Sequence, residues 1–382
     1  MYSASTAFHT AVASNAPQKA LLIFADAVFT NEDINIERGI EFHDYFNLEE
    51  DLSIGQTPSN ELSFSLFNAD RLLNDYAFGD FLATIGVLTG TGTASFTGNA
   101  HVITANVEWI GKDASPYLTR GGQTLLNPPS FPVKSLLAYD GKVYAFGANK
   151  QYAVFNASTG ANVTTSNPVN AFMRNKSIRW NGQGMEYNKA TRILKIWSGT
   201  KMEQYEFVPL GYFTAERPKA PDVLQIDFNC NDLMMKFDKD MPSASALGLS
   251  YPCTIGTLFV KLCQNAGLPY KSSTFINSTA TIASEPEEFE RAGMRQVLQW
   301  IAEAAGGNIR IDRDGYVTVD WLRTTTQRFG ESDYGEFNPY WYATKQVTKL
   351  LNRGTDGSYE HAYGNGTEGY LIQDNPLLKG VS

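Results

Sequence analysis

Carboxylates spaced as at the start of a calcium-binding loop occur in the segment DRDG, at residues 312–315. Such a loop needs oxygen donors at alternate positions and a Glu that closes it. Asp312 and Asp314 supply two donors, but no third donor stands at the next odd position and no Glu follows at the required distance. Because Asp-Gly also favours tight hairpin turns, we expect Asp314 and Gly315 to form a turn rather than a metal site.

The chain has four histidines, the residue type most often used for zinc binding and for acid–base chemistry near neutral pH. None belongs to an HExxH motif or to another short zinc spacing, and no G-x-S-x-G motif supplies a serine nucleophile. We therefore predict that the protein is not an enzyme and has no catalytic residues, no metal site and no cofactor. The histidines are His9, His43, His101 and His361.

Carbohydrate chemistry has two weak signals. Adjacent carboxylates, Glu49 with Glu50 and Glu287 with Glu288, could hydrolyse sugars only if they faced each other across a cleft, and as neighbours they are expected to be solvated turn residues. Tryptophans could form platforms for sugar rings, although a tryptophan within an alternating strand more often fills a core. The tryptophans in such positions are Trp109, Trp180 and Trp197.

Composition indicates a β-rich structural protein. Tyr (19), Phe (23) and Gly (32) are abundant, which favours many short strands joined by turns. The net charge of -9 argues against adhesive binding to nucleic acid, which needs a surplus of Lys and Arg. We expect no membrane span and no signal peptide, and a reducing cytoplasm in which the cysteines are buried thiols. The cysteines are Cys230, Cys253 and Cys263.

Two helix patterns follow one another after residue 250. In the first, Thr254 is the expected N-cap and Gly267 the stop; the second ends at Gly306 and Gly307. Helical spacing relates the apolar residues Ile255, Leu258, Phe259 and Leu262 in the first pattern, and Met294, Val297, Leu298, Ile301, Ala302 and Ala305 in the second.

A hairpin is predicted directly after the second helix. Ile309 and Ile311 alternate with polar residues before the Asp-Gly turn, and Val317, Val319 and Trp321 continue the alternation after it.

This succession resembles the tail-hub, or baseplate hub, proteins of long-tailed bacteriophages and prophages. Their YP-T-LG-LL--LC---G helix, R-VL-WIAEA-GGN helix and I-RDG-V hairpin occur here in the same order. One difference is local, because Ala292 and Gly293 stand where the family usually has Thr or Ser as the second helix cap. The matching residues are Tyr251, Pro252, Thr254, Gly256, Cys263 and Gly267, then Arg295, Val297, Leu298, Trp300, Ile301, Ala302, Glu303, Gly306, Gly307 and Asn308.

Three further segments resemble the same family. Residues 52–70 look like its early pair of barrel strands, residues 208–218 like the strand that closes the barrel, and residues 370–378 like its C-terminal signature. The resemblance does not clearly cover residues 90–207. Residues 135–206 read as strands and turns similar to one or two propeller blades, which we interpret as an insertion.

The resemblance implies a mainly β fold with α+β parts, built from two tail-tube-like β-barrels, a small helical or mixed segment and a β-rich insertion. The predicted domains are 1–124, the N-terminal part of the first barrel; 125–207, the insertion; 208–240, the closing part of the first barrel; 241–307, the helical segment; and 308–382, the second barrel.

The resemblance also implies a structural function at the virion tail tip, after assembly in the host bacterial cytoplasm. Three copies would form a homotrimeric ring that adapts a six-fold tail tube to a three-fold tip. DNA would pass through its lumen without specific binding. Expected partners are the distal tail protein, the tape-measure protein and tip or fibre proteins.

Two alternatives stay open at this point. Hub proteins of this family often carry a cell-wall hydrolase or peptidase domain after the hub, whereas this chain ends soon after its DNPLL segment. The aromatic insertion could instead be a carbohydrate-binding module for receptor recognition, although contact with another protein is its preferred role.

Overall fold

The computed structural model describes residues 4–24, 28–31, 33–35, 37, 39–45, 53–68, 73, 78–148, 151–164, 183–215, 224–320, 348–357, 360–367 and 369–378. The chain forms two compact units. The first unit comprises residues 1–40, 64–210 and 215–228, and the second comprises residues 41–63, 211–214 and 229–382. Strands predominate over helices, which confirms the predicted mainly β class.

The elements up to residue 232 are one helix and a series of strands. Their bounds are α1 Thr6–Ala13, β1 Gln18–Phe24, β2 Val28–Thr30, β3 Ile40–His43, β4 Glu61–Phe67, β5 Asp80–Thr93, β6 Ala100–Thr104, β7 Val107–Gly111, β8 Leu118–Arg120, β9 Gln123–Thr124, β10 Ser135–Tyr139, β11 Lys142–Phe146, β12 Tyr152–Asn156, β13 Gln183–Asn188, β14 Ile193–Ser198, β15 Lys201–Thr214 and β16 Gln225–Asp232.

Helices and short strands mix after residue 232. The bounds are a 3-10 helix η1 Leu233–Phe237, α2 Ala244–Leu247, β17 Cys253–Thr254, α3 Ile255–Ala266, β18 Thr281–Ile282, a 3-10 helix η2 Glu287–Glu290, α4 Met294–Ala305, β19 Asn308–Ile311, β20 Val317–Asp320, β21 Lys349–Arg353, β22 Glu360–Tyr363 and β23 Gly369–Gln373.

An aromatic core fills the barrel-like part of the first unit. Strand β1 lies between β2 and β5, β5 also pairs with β15, and β4 pairs with β16. Phe24 of β1 stacks on Phe81 of β5 with ring centroids 4.6 Å apart, and Phe64 of β4 stacks on Phe228 of β16 at 4.9 Å. Phe64 and Phe81 meet edge to face at 5.7 Å. Leu62, Phe64 and Leu66 are buried at alternate positions of β4, which directs Phe64 into this core.

The rest of the first unit is a pair of packed sheets. The order β12-β11-β10-β13-β14-β15 is antiparallel except for the parallel pair β10 and β13. A second sheet has the order β6-β7-β8-β9. The two share one hydrophobic core, to which Trp109 and Phe155 each contribute a fully buried ring.

That shared core contains residues from both sides of the predicted domain boundary at residue 124. Strands β6 to β9 lie within the segment predicted as the first barrel, 1–124, but they pack against the strands of the predicted insertion, 125–207. The reason is that β6 and β7 direct Ala100, Val102 and Trp109 onto the same apolar face as β10 and β11. The five-domain division otherwise stays a prediction.

The two predicted helices of the second unit are confirmed as α3 and α4. The hydroxyl of Thr254 accepts a hydrogen bond from the Thr257 N–H at 3.1 Å, and Gly267 ends α3 in the left-handed conformation at φ 69°. Helix α4 begins after Gly293, which makes no side-chain cap, and ends at Gly306 at φ 64°. Both helices bury the apolar stripes predicted for them.

The predicted hairpin is confirmed as β19 and β20, in antiparallel register from Ile311 opposite Val317 to Asn308 opposite Asp320. Strands β22-β21-β23 form a separate sheet in which β21 and β23 are parallel. Residues 321–347 lie outside the described residues, and Trp321 with them, so the second barrel at 308–382 stays a prediction.

No helix in the described ranges is long and apolar enough to cross a membrane.

Helix α4 should be a stability determinant of the second unit. Leu298 is fully buried in its core, whereas Gln296 on the same helix is exposed. We expect Leu298→Ala to reduce the free energy of unfolding by roughly 2–5 kcal/mol through lost burial and a residual cavity. Gln296→Ala is the matched control and should change it by less than about 0.5 kcal/mol. Urea unfolding of both variants measures the difference in the free energy of unfolding. Equally small effects of the two substitutions would show that the buried face of α4 is wrongly assigned.

Candidate functional site

The carboxylates of the DRDG segment serve the hairpin itself. One oxygen of Asp312 accepts hydrogen bonds from the Asp314 N–H at 3.0 Å and the Tyr316 N–H at 2.9 Å. The other lies 3.1 Å from the ammonium of Lys271. Gly315 takes φ 84°, a conformation that favours glycine. The predicted turn is confirmed, and the Asp312 carboxylate is already hydrogen-bonded within it.

The histidines whose side chains the structure describes do not converge. His9 and His43 are exposed, and His43 lies 3.0 Å from the carboxylate of Glu41. His101 is fully buried. The side chain of His361 lies outside the described residues. Within the described residues, no group of three or more His, Cys, Asp or Glu side chains is placed to hold a metal ion.

The tryptophan and cysteine positions agree with core packing. Trp109 and Trp197 are buried, while Trp180, like Glu49 and Glu50, lies outside the described residues. Cys230, Cys253 and Cys263 are all buried, as predicted. Burial raises the pKa of the Cys253 thiol to about 11 and that of Cys263 to about 12. These two thiols are therefore protonated near neutral pH and poor nucleophiles. Glu287 and Glu288 belong to η2.

The signature segments of the sequence come together in the second unit. We call the meeting of residues 54–56, 300–309 and 370–378 the signature junction. Its centre is a backbone pairing: the Gly55 N–H donates to the Gly307 carbonyl at 2.9 Å, and the Ile309 N–H donates to the Gln56 carbonyl at 2.9 Å. The buried side chain of Asn308 accepts from the Gln56 N–H at 3.0 Å.

Gly55 has no room for a side chain at this junction. A Cβ atom at Gly55 would lie 2.3 Å from Cγ of Glu303, and the residue has φ 89°. Both the contact and the backbone conformation require glycine. The segment IGQ can therefore pass directly over the last turn of α4.

Asn375 of the DNPLL segment closes the junction from the other side. Its Nδ2 donates to the Trp300 carbonyl and to Oε2 of Glu303, each at 2.8 Å. Its Oδ1 accepts from the Leu377 N–H at 3.0 Å, which turns the chain so that Leu377 and Leu378 enter the core. One buried carboxamide thus connects the C-terminal segment to α4.

A second buried carboxylate holds the loop that leads away from Gly55. Asp232 accepts hydrogen bonds from the Ser59 hydroxyl, the Asn60 N–H and the Met234 N–H, all at 2.9 Å. It is the N-cap of η1. The Asp232 N–H in turn donates to the Asn60 carbonyl at 2.9 Å. The loop and η1 are therefore fixed to each other through both backbone and side chain.

Burial raises the pKa of both carboxylates, Glu303 and Asp232. It raises the pKa of Glu303 to about 7, and the hydrogen bond from Asn375 only partly opposes this. Burial also raises the pKa of Asp232 to about 6, against the opposing effects of its hydrogen bonds and of Arg295. Among the described residues, neither carboxylate belongs to a group of three or more His, Cys, Asp or Glu side chains that could hold a metal ion.

Sequence reasoning named the members of the junction but not their contacts. Glu303 and Asn375 both occur in the quoted motifs, 72 positions apart, and no spacing rule relates them. Asp232 was missed altogether. The available signal was local: an Asp immediately before an apolar LMM run is a typical helix N-cap.

Comparisons with known proteins add little. No protein-family model matches the chain, and no curated protein matches it. A structural similarity exists to the 43 kDa tail protein of prophage MuSo2 from Shewanella oneidensis, with a TM-score of 0.31 and 8% sequence identity, over 93% of this chain and 72% of that one. A TM-score of this size does not establish a shared fold, so the likeness carries no functional conclusion.

The Gly55 contact gives a stability prediction. Gly55→Ala should reduce the free energy of unfolding by roughly 2–4 kcal/mol, from the unfavourable φ together with the clash with Glu303. Gly357→Ala is the control, because Gly357 also has positive φ, 75°, but has nothing within 4 Å of an added Cβ. It should cost only about 1 kcal/mol.

Chemical denaturation of the single variants and of Gly55→Ala with Glu303→Ala measures the coupling between the two positions. The double variant should lose less than the sum of the singles, since truncating Glu303 removes the clashing Cγ. Strict additivity would contradict the contact.

The raised pKa of Glu303 predicts a pH dependence. Its ordinary pKa is 4.5 and its folded value about 7, so the folded state binds the proton more tightly. Its contribution to stability is fully present below the ordinary pKa and is lost as the pH rises through about 7. Glu303→Gln keeps an acceptor for Asn375 and cannot ionise. It should reduce the stability loss between about pH 5 and about pH 8 by roughly 1–3 kcal/mol.

Urea unfolding at several pH values tests this prediction, with Glu290→Gln as an exposed control. The free energy of unfolding of the Glu303→Gln variant should still depend on pH to some extent, because the pKa of Asp232 is also raised. Identical pH profiles for the wild type and Glu303→Gln would refute the assignment.

Proposed function

We propose that this chain is a structural tail-hub protein of a bacteriophage or prophage, located at the tail tip. The observation that carries the proposal is the ordered set of hub motifs, three segments of which meet in the signature junction. Such motifs would be hard to explain as unrelated local patterns, because each supplies a different part of one packed structure. Residues 54–56 supply the glycine at 55, α4 supplies the helix end at 306–308, and the C-terminal segment supplies the carboxamide at 375.

The proposed assembly is a homotrimeric ring. As the family resemblance implies, two barrels in each of three copies would place six barrels around a lumen. Such a ring would match a six-fold tube to a three-fold tip. The net charge of -9 supports a channel role, since an acidic balance disfavours adhesion of passing DNA. The distal tail, tape-measure and tip or fibre proteins would then be its neighbours.

The protein is proposed to act without catalysis. In support, His101 is fully buried, and burial raises the pKa of the Cys253 thiol to about 11 and that of Cys263 to about 12. The Asp312 carboxylate, which gave the strongest metal-like signal, is used by its own hairpin. We therefore propose that these residues have a structural role.

The ring proposal predicts three copies. Native mass measurement and imaging of recombinant assemblies or tails should show a trimer with a central opening wide enough for duplex DNA. Gln296→Ala should assemble like the wild type, whereas Leu298→Ala should lose assembly if the second unit contributes to the ring. A monomer inside an assembled virion, or a hub with six copies, would remove the symmetry-adapter function.

A further inference from the structure

A histidine is fully enclosed in the first unit. His101 lies on β6 with 0% of its surface exposed. Its ring stacks on Phe96 with centroids 4.5 Å apart and planes at 18°, and it meets the edge of Trp197 on β14 at 4.7 Å and 77°. These two aromatic side chains cannot hydrogen-bond to a charged imidazole in the way that water does.

The only charged group that acts on this ring among the described residues is Glu108 on β7. Its Oε1 lies 2.9 Å from Nε2 of His101, and its side chain is 42% exposed. The carboxylate lies off the direction required for a hydrogen bond, and Nδ1 has no hydrogen-bond partner in the described structure. Glu108 therefore compensates a positive charge on His101 only in part.

The backbone around His101 is closely packed. Gly184 of β13 packs against β6 so closely that a Cβ atom there would lie 1.7 Å from the His101 carbonyl oxygen. The flanking residues Ala100 and Val102 are buried in the core shared by the two sheets. Exposure of the His101 ring to water therefore requires movement of Phe96, or of β6 away from β13 and β14.

We propose that His101 is a pH-sensitive switch of the first unit, and that mild acidification, by charging its imidazole, loosens β6 to β9 from β13 and β14. This property concerns the chain itself and does not depend on the tail-hub proposal.

The physical balance favours the neutral imidazole in the packed state. Burial lowers the pKa of His101 below 6.5, and the negative charge of Glu108 opposes this less strongly. Contact of the cation with Phe96 and Trp197 also opposes the lowering. Because the folded pKa is lowered, the stabilisation is present above the ordinary pKa and is lost as the pH falls through the folded value.

The wild-type protein itself provides the first test. Imidazole signals from histidine-labelled protein can be followed by NMR from about pH 7.5 to about pH 5, a range in which histidine titrates. The pKa of His101 should lie below the ordinary histidine value of 6.5. Hydrogen exchange should show that opening of β6 increases by up to about tenfold per pH unit below 6.5, after correction for intrinsic rates.

Three substitutions distinguish the effect of charging His101 from the effect of its packing. His101→Phe keeps a planar ring beside Phe96 and should abolish the increase in β6 opening at acid pH. Glu186 of β13, whose pKa burial raises, leaves only a dependence of the opposite sign. His43→Phe should leave the wild-type dependence unchanged. Glu108→Gln removes the charge that raises the pKa of His101, so it should move the NMR transition to lower pH.

Three results would overturn the proposal. They are a His101 pKa at or above the ordinary value of 6.5, unchanged protection of β6 while the imidazole becomes charged, and an increase in β6 opening at acid pH that persists in His101→Phe. Should His101→Phe fail to fold, the paired NMR and exchange measurements on the wild type and on Glu108→Gln still decide the matter.

Discussion

The second unit depends on a backbone pairing between residues 55–56 and 307–309. This pairing is possible only because α4 ends in a left-handed glycine at 306 and because Gly55 leaves space for Glu303. The hydrogen bonds from Asn375 then hold Glu303 and the end of α4 in place. Each part restricts the next, so a change at Gly55 affects contacts made by residues more than 300 positions away.

Local signals account for what could be predicted. Thr254, Gly267 and Gly306 set the ends of α3 and α4 through their own capping geometry, and the Asp-Gly pair set the β19–β20 hairpin. Contacts between distant segments have no such signal. The bond from Asn375 to Glu303, the parallel pairing of β10 with β13 and the packing of β6 to β9 over the predicted boundary at 124 all depend on tertiary placement.

Buried carboxylates and the buried histidine respond to pH in opposite directions. In the second unit, burial raises the pKa of Glu303 and Asp232, so protonation of these carboxylates removes a buried charge. In the first unit, burial raises the pKa of Glu186 on β13 but lowers that of His101, whose protonation creates a buried charge. The same physical cause, exclusion of water, therefore favours the protonated carboxylates and opposes the protonated imidazole as the pH falls.

The motif residues that meet in the signature junction have architectural tasks. Gly55 permits close backbone approach, Asn308 and Asn375 satisfy buried backbone groups, and Leu377 and Leu378 fill the core. Because these contacts connect Gly55, Glu303, Asn308 and Asn375, their contributions to stability are expected to be coupled rather than additive.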